Sequence, residues 1–199
     1  MGVKRLALFI SGTGGNACNL LMACREEKVM ALPAIAISSS ATAKGVERLR
    51  AAGLPVEIIP RNSYVSDGEF SNACFALCED KSVDIICLCG FIKKLVVPKD
   101  WIGRILNIHP GPLPRFGGVG MYGHAVHEAV LDAGVYESGP TVHLVDNEYD
   151  HGKILAHTPV SVMPGDTAES LQKRVYEAEM KLYPKILQVF LNNYPAKGN

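Results

Sequence analysis

Short apolar runs that alternate with amphipathic segments are the feature that most constrains the fold of this chain. Residues 6–10, Leu-Ala-Leu-Phe-Ile, form the first run, and such a run is typical of a parallel strand buried on both faces. Further strands are predicted over residues 33–38, 54–59, 83–89 and 104–108, with helices over 17–27, 43–52 and 66–80. This alternation predicts an α/β fold with a mostly parallel, twisted sheet and helices on both faces.

The later part of the chain follows a different pattern. A helix is predicted over residues 124–131, and strands over 139–145 and 153–160 then follow without an intervening helix, so they should be antiparallel. Asp166 and Glu169 have the spacing of a capping box that opens a final helix over 167–193, which Pro184 should kink or divide. No repeat or linker interrupts residues 1–199, so a single domain is expected.

The composition argues against several classes of function. The 20 basic and 20 acidic residues give a formal net charge of +0, which does not favour binding to nucleic acid. No apolar stretch is long enough to span a membrane, and residues 6–10 are too few for the apolar region of a secretory signal. The six cysteines lack zinc-site spacing, and Cys87 and Cys89 are expected to be small buried residues. A reducing compartment, the cytoplasm, is therefore the expected location.

A glycine-rich turn follows the first predicted strand, at residues 11–16 (Ser-Gly-Thr-Gly-Gly-Asn). A turn that leads into a helix directs free backbone N–H groups and the positive end of the helix dipole at its ligand, and a phosphate fits such a site. Gly12, Gly14 and Gly15 form neither the dinucleotide fingerprint nor a P-loop. The turn therefore predicts an anion site, and an ordinary tight turn remains the alternative.

The stretch from residue 105 to 123 combines an apolar strand with a loop rich in proline and glycine. Asn107 and His109 lie two residues apart, so both side chains should project from the same face at the end of the strand. An imidazole in that position can act as a general acid or base, and a carboxamide can stabilise an oxyanion. Asp150 would hold the imidazole if its loop folds back over the strand. The alternatives are structural roles in a strand end and a turn.

The remaining histidines give weaker signals. His124 and His127 are spaced i, i+3 and could share a metal ion, but no third ligand is evident, and no metal is expected. His143 lies in an apolar strand and is predicted to be a hydrogen-bonded core residue, while His151 and His157 are left without a role. No Gly-x-Ser-x-Gly motif is present, which argues against an α/β serine hydrolase.

Several of these motifs together resemble the formyltransferase family that uses 10-formyltetrahydrofolate. The resemblance rests on Asn107-Ile-His109-Pro110, on the loop at 113–118 and on Asp150-x-Gly152. Residues 10–16, 89–95 and 174–184 resemble, within this family, the enzymes that formylate glycinamide ribonucleotide. The resemblance covers nearly the whole chain and implies a Rossmann-like formyltransferase fold. It further implies a phosphate- and nucleotide-binding half at 1–100 and a catalytic and folate-binding half at 101–199.

The activity implied by the resemblance is formyl transfer from 10-formyltetrahydrofolate to the glycyl amine of glycinamide ribonucleotide, in purine biosynthesis. Asn107 would stabilise the tetrahedral oxyanion. His109 would assist as a cation or proton donor, and Asp150 would raise the pKa of His109 and help to relay the proton. The folate is a co-substrate and no metal is needed. The partners would be these two small molecules, without nucleic acid or membrane, and the protein would be a monomer or a homodimer.

The resemblance also implies the residues that bind each substrate. The ribonucleotide and its phosphate would be bound by Gly14, Gly15, Asn16 and Glu179. The folate would be bound by Ile92, Lys93, Lys94, Leu95 and Asn107, with the loop at 146–150 closing over the pterin.

The chain departs from the commoner family pattern at several positions. The loop at 117–123 is longer, and Gly15 stands where a serine is usual, so one hydroxyl contact to the phosphate is expected to be missing. Lys93 replaces an arginine, Asp67 lies where some members have an arginine near the folate, and His151 replaces a glycine. The alternatives are a formyltetrahydrofolate hydrolase, another formyltransferase of the same superfamily, and a non-catalytic nucleotide-binding module.

Overall fold

The computed structural model describes residues 2–194. Within them the strands are β1 (Lys4–Ile10), β2 (Ala31–Ser38), β3 (Val56–Ile58), β4 (Ile85–Leu88), β5 (Ile105–His109), β6 (Glu137–Ser138), β7 (Thr141–Leu144), β8 (Ile154–His157) and β9 (Val160–Ser161). The α-helices are α1 (Gly15–Arg25), α2 (Lys44–Ala51), α3 (Asp67–Asp80), α4 (His124–Asp132) and α5 (Ala168–Asn193). Two 3₁₀-helices lie at Arg61–Ser63 and Lys99–Trp101.

Seven of the strands found in residues 2–194 form one sheet in the order β3-β2-β1-β4-β5-β7-β8. Strands β1 to β5 are parallel to one another, while β7 is antiparallel to β5 and β8 is antiparallel to β7. The predicted mostly parallel sheet with antiparallel strands near the C-terminus is therefore confirmed. The parallel strands bring the ends of β1, β4 and β5 to one edge, where ligands bind in sheets of this kind.

Both faces of the sheet are covered by helices, as predicted. Leu6, Leu8 and Ile10 of β1 belong to a buried cluster with side chains of α1, α2 and α5. The alternate residues Ala7 and Phe9 belong to a second cluster with α3 and the segment at 91–101. Because both faces of β1 are buried, its sequence lacks the polar alternation of a half-exposed strand.

Two predicted boundaries were wrong. Helix α1 begins at Gly15 rather than at residue 17, which places Gly15 and Asn16 in its first turn. The predicted strand over 153–160 is two strands, β8 and β9, separated by Thr158 and by Pro159, which has no N–H for a ladder. Strand β9 pairs instead with β6 in a separate two-stranded sheet.

Helix α5 runs unbroken through Pro184, so of the two predicted outcomes, a kink or a division, the division does not occur. A proline removes the N–H that would bond the carbonyl four residues earlier. That carbonyl, of Met180, accepts a hydrogen bond from Nδ2 of Asn19 on α1 at 2.8 Å. The expected capping box is also displaced by one residue, because Thr167 is the N-cap and exchanges hydrogen bonds with Ser170.

Candidate active site

A cavity of about 590 Å³ opens at the edge where β1, β4 and β5 end. Its walls come from the turn at 12–16, the segment at 89–92, the end of β5 with the loop at 118–123, Tyr149 and Asp150, and one face of α5. This volume lies within the range of small-molecule binding sites. The predicted catalytic residues Asn107, His109 and Asp150 all line it.

Asn107 is oriented by a histidine that the sequence analysis assigned to the core. The register of the antiparallel pair β5 and β7 places Asn107 opposite His143. Nδ1 of His143 donates to the carbonyl of Leu144 at 2.8 Å, so Nε2 carries the lone pair and accepts from Nδ2 of Asn107 at 3.0 Å. The same Nδ2 lies 3.5 Å from Oδ1 of Asp150. The amide group of Asn107 is thereby directed toward Asp150 at the cavity wall.

His109 is buried and has a different partner on each ring nitrogen. Nε2 donates to the carbonyl oxygen of Phe116 at 2.7 Å, and Nδ1 lies 3.5 Å from Oδ2 of Asp150. Burial lowers the pKa of His109, and Asp150 offsets only part of this effect. The net direction is therefore opposite to the rise expected from Asp150. The neutral imidazole presents its lone pair at Nδ1, toward the carboxylate, and this nitrogen is the one that can exchange a proton.

Asp150 folds back over the strand that carries Asn107 and His109, which is the condition set in the sequence analysis for its contact with the imidazole. Its backbone has φ 53°, in the left-handed region that aspartate tolerates better than most residues. Gly118 donates its N–H to Oδ2 of Asp150 at 3.0 Å. Gly117 lies so close to Asp150 that a side chain there would not fit, because its Cβ would lie 2.9 Å from Cβ of Asp150. Burial alone would raise the pKa of Asp150, but its attraction to His143 and His109 when these rings are protonated, together with the Gly118 N–H, holds it below its usual range. Asp150 is therefore a carboxylate at neutral pH.

The glycine-rich turn lies on the opposite side of the cavity. Gly14 is the N-cap of α1 with φ 69°, and no side chain in residues 2–194 caps this helix. The first N–H groups of α1 therefore have no intrahelical partner. Asn16 donates from Nδ2 to Oε2 of Glu179 at 2.7 Å, while its buried Oδ1 has no partner within the described chain. Burial raises the pKa of Glu179 to about 7. All four residues predicted to bind the ribonucleotide line the cavity, namely Gly14, Gly15, Asn16 and Glu179.

The predicted folate residues border the same region. Ile92 lines the main cavity, and Lys93, Lys94 and Leu95 line a smaller adjoining cleft of about 60 Å³. This cleft is also bordered by Asn107 and by residues of the loop at 146–150. Lys94 donates from Nζ to the carbonyl of Asn147 and lies 4.6 Å above the Tyr149 ring, so it ties the segment to that loop.

The other residues that the sequence analysis named lie outside the cluster of Asn107, His109 and Asp150, or at its border. Asp67 accepts a hydrogen bond from Arg61 at 2.5 Å, and exposed His151 pairs with Asp146 at 2.9 Å. His127 is buried at the cavity wall, whereas His124 is exposed and pairs with Glu128 on the surface. Within residues 2–194, no group of three potential metal-ligating side chains is found.

Sequence reasoning missed several residues of the cavity, although some signals were available. His143 was predicted to be buried and hydrogen-bonded, which is confirmed, but its partner is Asn107. This contact depends on the register between β5 and β7, which the sequence alone does not give. Tyr176 precedes Glu179 by three residues and therefore shares its helix face. His127, which is buried, and Tyr149, which is 39% exposed, carried no comparable signal.

Comparisons with known proteins identify the chain's relatives. The model of the formyl transferase family matches residues 4–187. The trifunctional purine biosynthetic protein adenosine-3 of Bos taurus is 41% identical over 93% of this chain, which spans only 18% of the bovine protein's length. The phosphoribosylglycinamide formyltransferase of Haemophilus influenzae is 34% identical over 94% of this chain and 87% of its own.

A solved structure agrees with these sequence matches. The glycinamide ribonucleotide transformylase 1 of Symbiobacterium toebii superposes with a TM-score of 0.90 and 33% identity, covering 99% of this chain and 92% of its own. The similarity therefore extends over the whole sheet and the cavity at its edge. Together with the family match over residues 4–187, it shows that the chain belongs to the formyl transferase family.

Proposed function

We propose that this chain transfers the formyl group of 10-formyltetrahydrofolate to the glycyl amine of glycinamide ribonucleotide, in de novo purine biosynthesis. The products are formylglycinamide ribonucleotide and tetrahydrofolate. The observation that carries the proposal is one cavity bordered by Asn107, His109 and Asp150 on one side and by a free helix N-terminus on the other. The relatives named for this activity support it.

The reaction needs a group that stabilises negative charge on the formyl oxygen. The amine nitrogen forms a bond to the formyl carbon, and the carbonyl oxygen becomes an oxyanion in the tetrahedral intermediate. Nδ2 of Asn107 is the donor for this oxygen. Its 3.0 Å hydrogen bond to His143 holds the amide group in place. Nδ2 lies at the long distance of 3.5 Å from Oδ1 of Asp150, so its second hydrogen is the one that turns to the oxyanion. A preorganised donor of this kind contributes roughly 10²–10³-fold to the rate.

The reaction also needs a path for one proton. The bond between the formyl carbon and N10 breaks, and the proton lost by the amine is delivered to N10. Nδ1 of His109 and Oδ2 of Asp150 face each other at 3.5 Å and can share this proton between them. The carboxylate also stabilises the protonated imidazole, and Phe116 fixes the ring through its carbonyl.

The ribonucleotide is assigned to the side of the cavity formed by α1 and α5. The free N–H groups at Gly15 and Asn16 and the positive end of the helix dipole suit its phosphate. Glu179 is an acceptor for sugar hydroxyl groups, and the unpartnered Oδ1 of Asn16 is another. The amine end of the substrate then extends toward Asn107.

The folate is assigned to Ile92, Lys93, Lys94, Leu95 and the adjoining loop at 146–150. In this arrangement N10 lies near Asn107, which borders both the main cavity and the small cleft. The proposal thus gives residues 1–100 the phosphate loop and residues 101–199 the catalytic groups.

The proposal also covers the location of the enzyme and its oligomeric state. All six cysteines, which lie between residues 18 and 89, are unpaired, which supports a cytoplasmic location. Among residues 2–194, no helix combines the length and apolar character that a membrane span requires. We expect a monomer or a homodimer that acts on these two small molecules.

Isotope transfer tests the proposal directly. The protein is incubated with 10-formyltetrahydrofolate labelled with ¹³C in the formyl group and with glycinamide ribonucleotide, and the products are analysed by mass spectrometry. The proposal predicts the label in formylglycinamide ribonucleotide. Label recovered only as formate would contradict it and indicate a hydrolase.

A further inference from the structure

The side chain of Tyr176 occupies the space directly beside the first residue of α1. A Cβ placed on Gly15 would overlap the Tyr176 hydroxyl and would lie 3.0 Å from Cζ of the ring. Residue 15 therefore has to be glycine while the tyrosine keeps this position. Gly15 itself has no side chain to offer a ligand, and the hydroxyl of Tyr176 stands where a side chain at residue 15 would begin.

The Tyr176 hydroxyl is available to a ligand. It makes no hydrogen bond to any of residues 2–194, and the residue lines the main cavity with 41% of its surface exposed. Burial raises the pKa of Tyr176, so the phenol keeps its proton at neutral pH and can donate it in a hydrogen bond. The neighbouring N–H groups of α1 are donors as well.

The surroundings of this hydroxyl indicate a ligand rather than an empty surface. Asn16, only 9% exposed, has a buried Oδ1 without a partner in the described chain and lines the same cavity. Arg48 of α2 donates from Nη1 to the carbonyl of Thr13 at 3.0 Å, which holds a cation beside the turn. Donors and positive charge together favour an anionic group at this point.

We propose that the Tyr176 hydroxyl donates a hydrogen bond to the phosphate of the ribonucleotide, and that Gly15 and Tyr176 form a matched pair that completes this subsite. The inference rests on the proposed function, because it names the phosphate of that substrate as the ligand. Tyr176 supplies the hydroxyl contact that Gly15 cannot make. It acts on substrate binding and has no part in the formyl transfer itself.

The first test replaces Tyr176 by phenylalanine, which keeps the ring and removes only the hydroxyl. Tyr176→Phe should raise KM for glycinamide ribonucleotide about tenfold or more, as expected for the loss of a hydrogen bond to a charged group. The kcat and the KM for 10-formyltetrahydrofolate should stay within about twofold. Tyr136→Phe, at a site 90% exposed and outside the cavity, is the matched control and should change none of these values.

The substrate without its phosphate separates a phosphate contact from a general packing effect. Glycinamide ribonucleoside, measured as a competitive inhibitor, should bind the wild type and Tyr176→Phe equally. An unchanged KM for the ribonucleotide, or an equal loss of affinity for the ribonucleoside, would overturn the inference.

A second pair of variants tests the matching of the two residues. Gly15→Ser should weaken ribonucleotide binding, because its Cβ displaces the Tyr176 side chain. Adding Tyr176→Ala to Gly15→Ser makes room for the serine hydroxyl and should lower KM again, whereas Tyr176→Ala alone should raise it. Additive losses in the double variant would contradict the matched pair.

A binding measurement tests this inference independently of the proposed function. Inorganic phosphate is titrated into the wild type and Tyr176→Phe, and its affinity is followed by calorimetry. A roughly tenfold weaker affinity in the variant supports the contact even if the wild type transfers no formyl group. Equal phosphate affinities would overturn the inference even if formyl transfer is observed.

Discussion

Replacing Asp150 by asparagine removes one buried charge and little else. The φ of 53° at this position is one that asparagine also adopts readily, so the backbone should be retained. The side-chain oxygen of asparagine can still accept the Gly118 N–H that Asp150 binds at 3.0 Å. What the variant loses is the negative charge 3.5 Å from Nδ1 of His109.

The size of the effect follows from this separation. Two opposite unit charges at 3.5 Å attract by at most about 5 kcal/mol at an effective dielectric constant of about 20. Contacts of this kind move a pKa by about 1 to 3 pH units. Burial already lowers the pKa of His109 and Asp150 opposes that, so losing the carboxylate lowers the pKa further. If the protonated imidazole assists the reaction, the alkaline limb of the rate profile moves to lower pH by this amount.

The assay is the pH dependence of kcat from pH 5 to 9 with both substrates saturating. We expect Asp150→Asn to show the displaced alkaline limb and a kcat at pH 7.5 reduced by about 10²-fold or more. Asp132→Asn, an exposed change at the end of α4, should reproduce the wild-type profile. A slower enzyme with an unmoved limb would refute the coupling between Asp150 and His109.

Three further changes test other parts of the account. Asn107→Ala should lower kcat by about 10²-fold or more with little change in KM for the ribonucleotide, and a near-normal kcat in steady-state assays would remove its oxyanion role. Because the pKa of Glu179 is raised to about 7, the folded protein retains a proton that the unfolded chain releases near pH 4, and stability should fall as the pH rises between these values. Glu179→Gln should therefore be more stable than the wild type by up to about 3 kcal/mol at pH 8 and by little at pH 4, in urea unfolding, while exposed Glu177→Gln should show no such pH dependence. Tyr183→Phe removes a buried hydroxyl whose single proton is shared between a carbonyl of β4 and a carbonyl of β5. It should cost about 1–3 kcal/mol in the same assay, with KM unchanged.

The parallel part of the fold could be predicted because its signals are local. An apolar run such as residues 6–10 can be buried on both faces only in a central strand, and β1 is indeed central. That Pro184 leaves α5 undivided could not be read from the local sequence, because the Met180 carbonyl that loses its helical donor accepts from Asn19, 161 positions away. Pro159 is a local reason for the break between β8 and β9, but the pairing of β9 with β6 is long-range and no local pattern reveals it.

The site was predictable in its residue types and less so in its contacts. Asn107 and His109 could be placed together because they alternate on one strand. The contact of Asn107 with His143 required the register between β5 and β7. The pKa direction of His109 required its burial, which outweighs the carboxylate and cannot be read from motif spacing. The position of Tyr176 over Gly15 depends on the packing of α5 against α1, which the sequence pattern does not specify.

The most direct test of the central claim measures release of the deformylated folate by absorbance, with and without glycinamide ribonucleotide. Direct transfer predicts that tetrahydrofolate forms only when the ribonucleotide is present, in equal amount to the formylated product. Folate release at the same rate without the ribonucleotide would mean that water takes the place of the amine. Absence of folate release under both conditions would contradict the proposed activity.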